Sequence, residues 1–285
     1  MTDIYQDVTN RIVAAIEENP GEFVLPWHRG GSSGTPQNAL TKALYQGVNI
    51  ITLWIMGLPY PEPVWATYRQ WQELGCQVRR GERGSPIIFY SVQEKEDGEE
   101  TNRVPFIRQS TVFNANQVDG YTSPEKPKTA PLERLEAVDG FVAKTGANIV
   151  SGGSRACYVP TDDVVRMPDE ERFFDTKTQT RTEGYYSTLM HELTHWTGHK
   201  NRLARDLAGR FGNEAYAMEE LVAELGAAFL CARLTITPEV RADHSQYIAN
   251  WLQVLKNDKR AIFSASTQAQ LAADYLLGLS PDPAH

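Results

Sequence analysis

The sequence lacks the features that attach a protein to a membrane or that stabilise it with disulfides. No apolar run approaches the roughly 20 residues needed to span a bilayer. The first residues, MTDIYQDVTNRIVAAIEENP, are acidic and polar where a signal peptide has a basic end and an apolar core. The three cysteines, Cys76, Cys157 and Cys231, are odd in number and far apart, which favours reduced packing residues. We therefore expect a cytoplasmic protein with no membrane partner.

An excess of positive charge is also absent. Lys and Arg number 28 against 36 Asp and Glu, which gives a formal net charge of −8. The whole molecule is therefore not attracted to nucleic acid, and any DNA site has to be a local basic patch. The hydrophobic content of 41% and charged content of 22% are typical of a chain that folds around a core.

A proline-rich segment divides the chain. YTSPEKPKTAPLE (121–133) has three prolines and little to bury, so we predict a linker at 121–130 between an N-terminal domain at 1–120 and a C-terminal domain at 131–285. Apolar and turn patterns predict both helices and strands in each domain, which makes the fold class α+β. Helices are predicted at the N-terminus and near 43–57, 67–74, 132–145 and 214–233, and strands at 86–92, 104–113, 156–160 and 164–168.

The stretch HELTHWTGH (191–199) predicts a metal site on a helix. His191 and His195 are four positions apart, so both imidazoles lie on one helical face and can bind one ion. Glu192 lies beside that face, where it suits a base that takes a proton from a water on the ion. Ser187 is expected to cap the helix. The alternative is a buried helix whose histidines are structural.

A zinc site needs a third protein ligand. In the metzincin pattern this would be a histidine three residues after Gly198, but Asn201 stands there. The gluzincin pattern takes a glutamate from a following helix, and EAYAMEELVAELGAAFL (214–230) supplies one. Glu220 is the predicted ligand and Glu219 its rival.

Two further residues are expected around the ligands. Glu224, one turn after Glu220, would accept a hydrogen bond from a ligand histidine and fix its tautomer. His199 is expected to act as a helix C-terminal cap or as an outer partner of the ligands rather than as a ligand. We expect Zn²⁺ at the site, with Mn²⁺ as the alternative, and hydrolysis of peptide amides with Glu192 as the catalytic base.

Aromatic and basic residues are interleaved in the first 83 residues. Single-stranded DNA is bound by aromatic faces that stack on bases, flanked by cations that meet phosphates. The candidates for such a site are Trp27, Lys42, Tyr45, Trp54, Trp65, Arg69, Trp71, Arg79, Arg80 and Arg83. The alternative is that these aromatics form the core of a small domain.

Several longer stretches resemble one family. PQNALTKALYQGVNIITLW, WATYRQWQELGCQVRRGERGSPIIFY and VFNANQVDGY are similar to the N-terminal domain of ArdC-type antirestriction proteins, also found in plasmid TraC primases. ACYVPTDDVVRMP, YYSTLMHELTHWTGHKNRLAR and MEELVAELGAAFL resemble the zincin-like metallopeptidase domain of the same proteins.

The resemblance implies a single-stranded-DNA-binding domain joined to a metallopeptidase-like domain. It also implies protection of incoming plasmid DNA from host restriction during conjugation. The metal ligands carried over are His191, His195 and a glutamate of 219–224, with Glu192 catalytic. The expected partners are single-stranded DNA, with double-stranded DNA as an alternative, and a protein substrate such as a restriction component.

Two other hypotheses stay open. In one, a DNA-binding protein uses the metal only to brace its fold, although Glu192 would then have no need to be there. In the other, a peptidase carries a regulatory N-terminal domain that does not bind DNA, which the acidic balance favours.

Overall fold

The protein is seen here as a computed structural model that describes residues 3–17, 34–97, 100–123, 131–152, 155–169, 172–173, 175, 180–207, 214–236 and 244–278. Trp27 and residues 124–130 of the expected linker lie outside these ranges. The chain forms two compact units, a small unit at Pro36–Pro124 and a large unit of Met1–Thr35 with Glu125–His285. None of the described helices is both long enough and apolar enough to cross a membrane.

The small unit is built on a four-stranded sheet with the order β1-β2-β5-β4. Its strands are β1 Gln37–Asn38, β2 Val64–Ala66, β4 Ser85–Asp97 and β5 Glu100–Asn114, and β3 Gln77–Val78 pairs separately with β6 Val118–Asp119. Helices α2 Val48–Gly57 and α3 Tyr68–Glu73 complete the unit. The long β4–β5 hairpin is antiparallel, with Ser85 opposite Val112.

The short helix α3 shows how local sequence positions this core. Thr67 and Gln70 form a capping box in which the Thr67 hydroxyl accepts from the Gln70 amide and the Gln70 side chain accepts from the Thr67 amide. The helix presents Trp71 inward, and its indole Nε1 donates to the Phe113 carbonyl at 3.0 Å. Around Trp71 pack the buried residues of one core cluster: Ala39, Val64, Ala66, Cys76, Val78, Ala115 and Val118.

The large unit contains most of the described helices. They are α1 Ile4–Glu17, α4 Pro131–Thr145, α5 Arg181–Thr197, α6 Glu214–Leu234, α7 His244–Asn257 and α8 Ala261–Gly278. Helix α1 packs here through a buried stripe that includes Val8, Ile12 and Ile16, and the Thr9 hydroxyl donates to the Lys259 carbonyl at 2.8 Å. The expected domain at 1–120 had grouped this helix with the small unit, whereas the compact units place it with the C-terminal residues.

A three-stranded sheet in the large unit has the order β7-β9-β8. Strand β7 Asn148–Ser151 runs parallel to β9 Val164–Met167, and β8 Cys157–Val159 pairs antiparallel with β9. The strands predicted at 156–160 and 164–168 are therefore present, and they pair as a hairpin. Its strand β8 lies at one edge of this sheet as far as the described residues define it.

Helix α5 carries the predicted metal ligands, and it begins earlier than the sequence analysis expected. Thr180 caps it in a capping box with Glu183, so Ser187 lies inside the helix and donates to the Gly184 carbonyl at 3.2 Å. The expectation that Ser187 is the cap is wrong. The T-x-x-E signature at Thr180 to Glu183 was available in the sequence.

Helices α5 and α6 pack closely against each other. A Cβ built at Gly226 on α6 would lie 2.5 Å from Thr194 Cγ2 on α5, which is closer than side chains tolerate. The absence of a side chain at Gly226 therefore allows the two helices to approach. This approach brings the glutamates of α6 to the histidines of α5.

Candidate functional site

Three side chains on α5 and α6 form a cluster that fits a metal ion. Ligand atoms of His191, His195 and Glu220 all lie within 4.8 Å of one another. His191 Nε2 is 3.5 Å from Glu220 Oε2, and His195 Nε2 is 3.7 Å from Glu220 Oε1. Ligands of a tetrahedral ion with bonds of about 2.1 Å are separated by about 3.4 Å, so the observed spacing and donor types fit such an ion.

The other nitrogen of each imidazole faces a different glutamate of α6. His195 Nδ1 lies 3.0 Å from Glu219 Oε1, and His191 Nδ1 lies 3.6 Å from Glu224 Oε2. Ligand histidines commonly have a carboxylate on the nitrogen that does not bind the metal. Glu219, the rival ligand in the sequence analysis, occupies such an outer position in the structure.

The charges around the cluster favour a cation. Burial raises the pKa of Glu220, but His191 and His195 outweigh burial and lower that pKa to about 2. Burial also raises the pKa of Glu219, whereas hydrogen bonds from His195 and Arg205 bring it below its usual value. Glu192 and Glu224 are buried nearby on the same two helices. So many buried carboxylates require cations close to them.

Glu192 points towards the edge strand of the three-stranded sheet. The backbone amide of Tyr158 on β8 donates to Glu192 Oε2 at 2.8 Å. The neighbouring Cys157 is exposed, unlike Cys76 and Cys231, and this corrects the expectation that all three cysteines are packing residues. Partial burial and the charge of Glu192 raise the pKa of the Cys157 thiol.

His199 does not continue the helical face that carries His195. Helix α5 ends at Thr197, and His199 lies in the turn that follows. Its Nδ1 accepts from the Asn201 amide at 3.3 Å, and its carbonyl accepts from the amides of Arg202 and Ala204. It is outside the cluster of ligand atoms found among the described residues.

Two arginines that the sequence analysis missed lie next to the site. Arg205 is bonded to Glu219 through Nε and Nη2, at 3.1 and 2.9 Å. Arg202 stacks on Trp196, 3.8 Å from the ring centroid, and pairs with Asp163 in the β8–β9 turn. The available signal was the sequence RLAR, which follows the HExxH helix by a few residues.

Most of the aromatic residues expected to stack on DNA are in the core of the small unit. Trp54, Trp65 and Trp71 are 2%, 1% and 0% exposed, and Tyr45 is 9% exposed. Bases cannot stack on rings that have no accessible face, so the expectation is wrong for these residues as the structure has them. A unit of this size needs large apolar side chains to build its core, and these rings fill it.

The basic candidates, unlike the buried aromatic ones, lie at the surface. Lys42, Arg69, Arg80 and Arg83 are exposed, and so is Arg79. The guanidinium of Arg79 is bound to Glu82 at 2.8 Å and to the carbonyls of Asn116 and Val118, so it holds the fold.

Two aromatics that are not among the candidates for DNA binding are exposed in the small unit. Tyr68 and Phe89 are 44% and 47% exposed. The ring of Tyr68 meets that of Phe113 with the centroids 6.5 Å apart. A Cβ built at Gly84, next to Arg83, would lie 3.1 Å from Phe113. Arg69 follows Tyr68 in the chain and Arg83 precedes Gly84, so both arginines are neighbours in sequence of residues that lie next to Phe113. We refer to Tyr68, Arg69, Arg83 and Phe113 as the Tyr68 surface.

Family profiles match both parts of the chain. The zincin-like metallopeptidase profile matches residues 136–268, and the profile of the N-terminal domain of the anti-restriction factor ArdC matches residues 2–113. The metal-free crystal structure of the antirestriction ArdC protein from plasmid R388 is similar with a TM-score of 0.82 and 38% identity, over 99% of this chain and 100% of that one. The Mn(II)-bound structure of the same protein gives 0.77 and 38%, over 97% and 98%.

Similar sequences occur in longer proteins as well. The uncharacterized protein y4eC of Sinorhizobium fredii is 45% identical over 96% of this chain and 92% of its own length. Two DNA primase TraC proteins of Escherichia coli are 34% and 30% identical over 96% of this chain. The chain spans only 27% and 20% of those two primases.

Proposed function

The chain belongs to the ArdC family of antirestriction proteins, with a zincin-like metallopeptidase domain, and from this we propose that it protects incoming plasmid DNA from host restriction during conjugation. In this proposal the small unit binds single-stranded DNA and the large unit carries a metal-dependent peptidase activity. The observation that carries the peptidase part is Glu192 beside a three-ligand cluster of His191, His195 and Glu220.

The residues of the cluster are suited to amide hydrolysis. His191, His195 and Glu220 would hold Zn²⁺ or Mn²⁺, and the ion would polarise a peptide carbonyl and acidify a water. Glu192 would take the proton from the attacking water and deliver it to the leaving amine. The Tyr158 amide would hold the Glu192 carboxylate in place during both transfers.

An extended protein segment is the substrate that the geometry favours. Strand β8 lies at the edge of its sheet, among the described residues, and its Tyr158 binds Glu192. A chain that adds to such an edge is held by backbone hydrogen bonds that do not depend on its sequence. A restriction component with an exposed segment would meet this requirement.

The peptidase part is tested by Glu192→Gln, which keeps the shape of the side chain and removes the base. Protection of transferred DNA in a restricting recipient would be compared with wild type, and the metal content of both purified proteins measured. We expect full metal content and loss of protection. If the variant protects as well as wild type, hydrolysis is not part of the function, and the metal braces the fold of a DNA-binding protein.

The Tyr68 surface supports the DNA-binding part. Tyr68 offers an exposed ring for stacking, and the exposed Arg69 and Arg83 would meet phosphates. In this proposal they form the local basic patch that an acidic chain needs. Phe89 lies opposite Arg108 in the β4–β5 pairing, so a second exposed ring also has an arginine at its side.

Binding of a fluorescent single-stranded oligonucleotide at several salt concentrations tests this part. Tyr68→Ala should weaken binding by an amount that corresponds to about 1–3 kcal/mol, the contribution of one stacked base. Arg83→Gln should reduce the salt dependence as one phosphate contact is lost. Leu74→Ala is the control, because Leu74 is also an exposed apolar residue of the small unit.

Absence of salt-dependent binding by wild type would overturn the DNA-binding part. The small unit would then be a regulatory domain of a peptidase. A duplex of the same sequence, run beside the single strand, would show whether double-stranded DNA is also a partner.

A further inference from the structure

Arg205 joins the two helices that carry the metal ligands. Its side chain is 6% exposed. Nε and Nη2 donate to the two carboxylate oxygens of Glu219 on α6. Nη2 also donates to the Thr194 carbonyl at 2.6 Å, and Nη1 donates to the Thr197 hydroxyl at 2.8 Å, both at the end of α5. One buried cation therefore holds Glu219 and the last turn of the histidine helix together.

The turn after α5 leaves room for this guanidinium. A Cβ built at Gly198 would lie 3.0 Å from Arg205 Nη2 and 2.8 Å from Leu207. Because Gly198 has no side chain, Arg205 can reach the open carbonyls at the helix end, where a cation is also favoured by the helix dipole.

The contacts of Glu219 determine which nitrogen of His195 faces the ligand centre. Glu219 is a carboxylate and accepts hydrogen bonds only, and its Oε1 lies 3.0 Å from His195 Nδ1. The proton of the neutral imidazole is then on Nδ1, and the lone pair is on Nε2. Nε2 is the atom that lies next to Glu220, 3.7 Å from Oε1.

We infer that Arg205 is a positioning residue for metal binding, which acts through Glu219 on His195. It aligns the Glu219 carboxylate so that His195 presents Nε2 to the ion. It also keeps Glu219 in its outer place, which leaves Glu220 as the carboxylate ligand. This inference rests on the proposed metal site, and it adds a residue that touches neither the ion nor a substrate.

The test is the metal affinity of Arg205→Gln, measured for Zn²⁺ and Mn²⁺ separately by competition with a chromophoric chelator. Loss of an outer partner of a metal ligand weakens binding by about 10- to 100-fold, and we expect a loss in that range. Lys200→Gln is the control for the loss of a positive charge in the same loop. Lys200 is exposed in the turn after α5, so its variant should keep the affinity of wild type.

Two further measurements distinguish positioning from a general effect on the fold. The thermal midpoint of the EDTA-treated proteins reports the fold, and a merely structural role would lower it without changing the affinity of the folded protein. Glu219→Gln combined with Arg205→Gln should lose little more affinity than either single variant, because both act on the same hydrogen bond to His195. If Arg205→Gln does not fold, Arg205→Lys, which keeps the charge but not the paired donors, should show a smaller loss than Glu219→Gln.

The same measurements distinguish a failure of the proposed metal site from a failure of the inference about Arg205. If wild type binds neither ion, the proposed metal site fails, and the inference fails with it. If wild type binds metal and Arg205→Gln binds within twofold as tightly, the inference about Arg205 is wrong and the proposed site stands.

Discussion

At the scale of single residues, the site depends on which glutamate of α6 meets which imidazole nitrogen. Glu220 faces both Nε2 atoms, whereas Glu219 and Glu224 lie beside the Nδ1 atoms of His195 and His191. These three glutamates are chemically identical, so their different roles come from position alone. The position is fixed by the close approach of Gly226 to Thr194.

Gly226→Ala tests that contact. The new Cβ would lie 2.5 Å from Thr194 Cγ2, so the helices have to separate. Overpacking of this kind costs about 1–3 kcal/mol, and the separation should also weaken metal binding. Urea unfolding and chelator competition measure the two effects.

A compensating variant provides the control. Thr194→Ala removes the two closest atoms, Cγ2 and Oγ1, and leaves Cβ, 3.2 Å from the new methyl group. Combined with Gly226→Ala it should recover most of the lost stability and affinity. If the double variant is as impaired as Gly226→Ala alone, the loss comes from some cause other than this contact.

At the scale of elements, helix α5 and the β8–β9 hairpin bring the base to the metal ligands. The capping box at Thr180 begins the helix. Arg202 joins the turn after the helix to the hairpin, because it bonds Asp163 and the Tyr158 hydroxyl. The backbone of the same Tyr158 binds Glu192. Both ends of α5 are therefore determined by side chains outside the HExxH sequence.

Thr180→Ala should destabilise the large unit by about 1 kcal/mol, the usual effect of losing a helix N-cap. The hydroxyl accepts from the Glu183 amide at 3.3 Å, and that bond would be lost. Thr182→Ala, two residues on in the first turn, should change the free energy of unfolding much less. Equal effects of the two variants in urea unfolding would contradict the role of Thr180 as the cap.

The Arg202–Asp163 pair predicts a pH dependence of stability. The hydrogen bond that Arg202 donates to Asp163 lowers the pKa of Asp163 from the usual 3.8 to about 2. A carboxyl with a lowered pKa in the folded state stabilises fully above 3.8, and the effect disappears as the pH falls through about 2. Asp163→Asn should therefore lower the free energy of unfolding at pH ~6 and lower it less at pH ~3.

Asp162→Asn is the control for this measurement. Asp162 is the neighbouring residue, 52% exposed and 3.6 Å from an exposed Arg166. Exposed pairs contribute little, so this variant should resemble wild type at both pH values. If the difference in free energy of unfolding between wild type and Asp163→Asn is the same at both pH values, the ionised Asp163 carboxylate does not stabilise the fold as expected.

At the scale of the whole molecule, one of the two compact units is built from two separate segments of the chain. Helix α1 comes first in the sequence but belongs to the large unit, where its buried stripe packs and Thr9 bonds Lys259. Along the sequence, the small unit comes between α1 and the remaining residues of the large unit. A truncation that removes the N-terminal residues would therefore damage the unit that holds the candidate metal centre.

Calorimetry of two buried-isoleucine variants tests this arrangement. Two units with separate cores should give two unfolding transitions, and metal should raise only that of the large unit. Ile12 and Ile51 are 1% and 0% exposed in α1 and α2. Each change to Ala costs about 2–5 kcal/mol. Ile12→Ala should lower the metal-sensitive transition, and Ile51→Ala should lower the other one.

The converse result would contradict the assignment. If Ile12→Ala lowers the transition that metal leaves unchanged, α1 belongs with the small unit. The boundaries first predicted, with a single domain at 1–120, would then describe the folding units.

The family, the fold class and the helix with its two histidines could be predicted from the sequence, because they depend on patterns that are local in the chain. His191 and His195 share a face by helical periodicity alone. The N-terminal helix was predictable for the same reason, and so were the two short strands at 156–160 and 164–168. Long motifs also identified the family, which the matching profiles confirm.

Only the tertiary structure decided which aromatic residues are exposed and which glutamate contacts which histidine nitrogen. The sequence marks Trp54, Trp65 and Trp71 as aromatic, but only packing shows that they are buried while Tyr68 and Phe89 are exposed. It contains Glu219, Glu220 and Glu224, but only the packing of α6 on α5 assigns them to different nitrogens. Arg205 becomes part of the site because it contacts both helices, through Thr194 and Thr197 on α5 and Glu219 on α6. Burial and long-range contacts depend on how all the elements pack together, and no local pattern determines that.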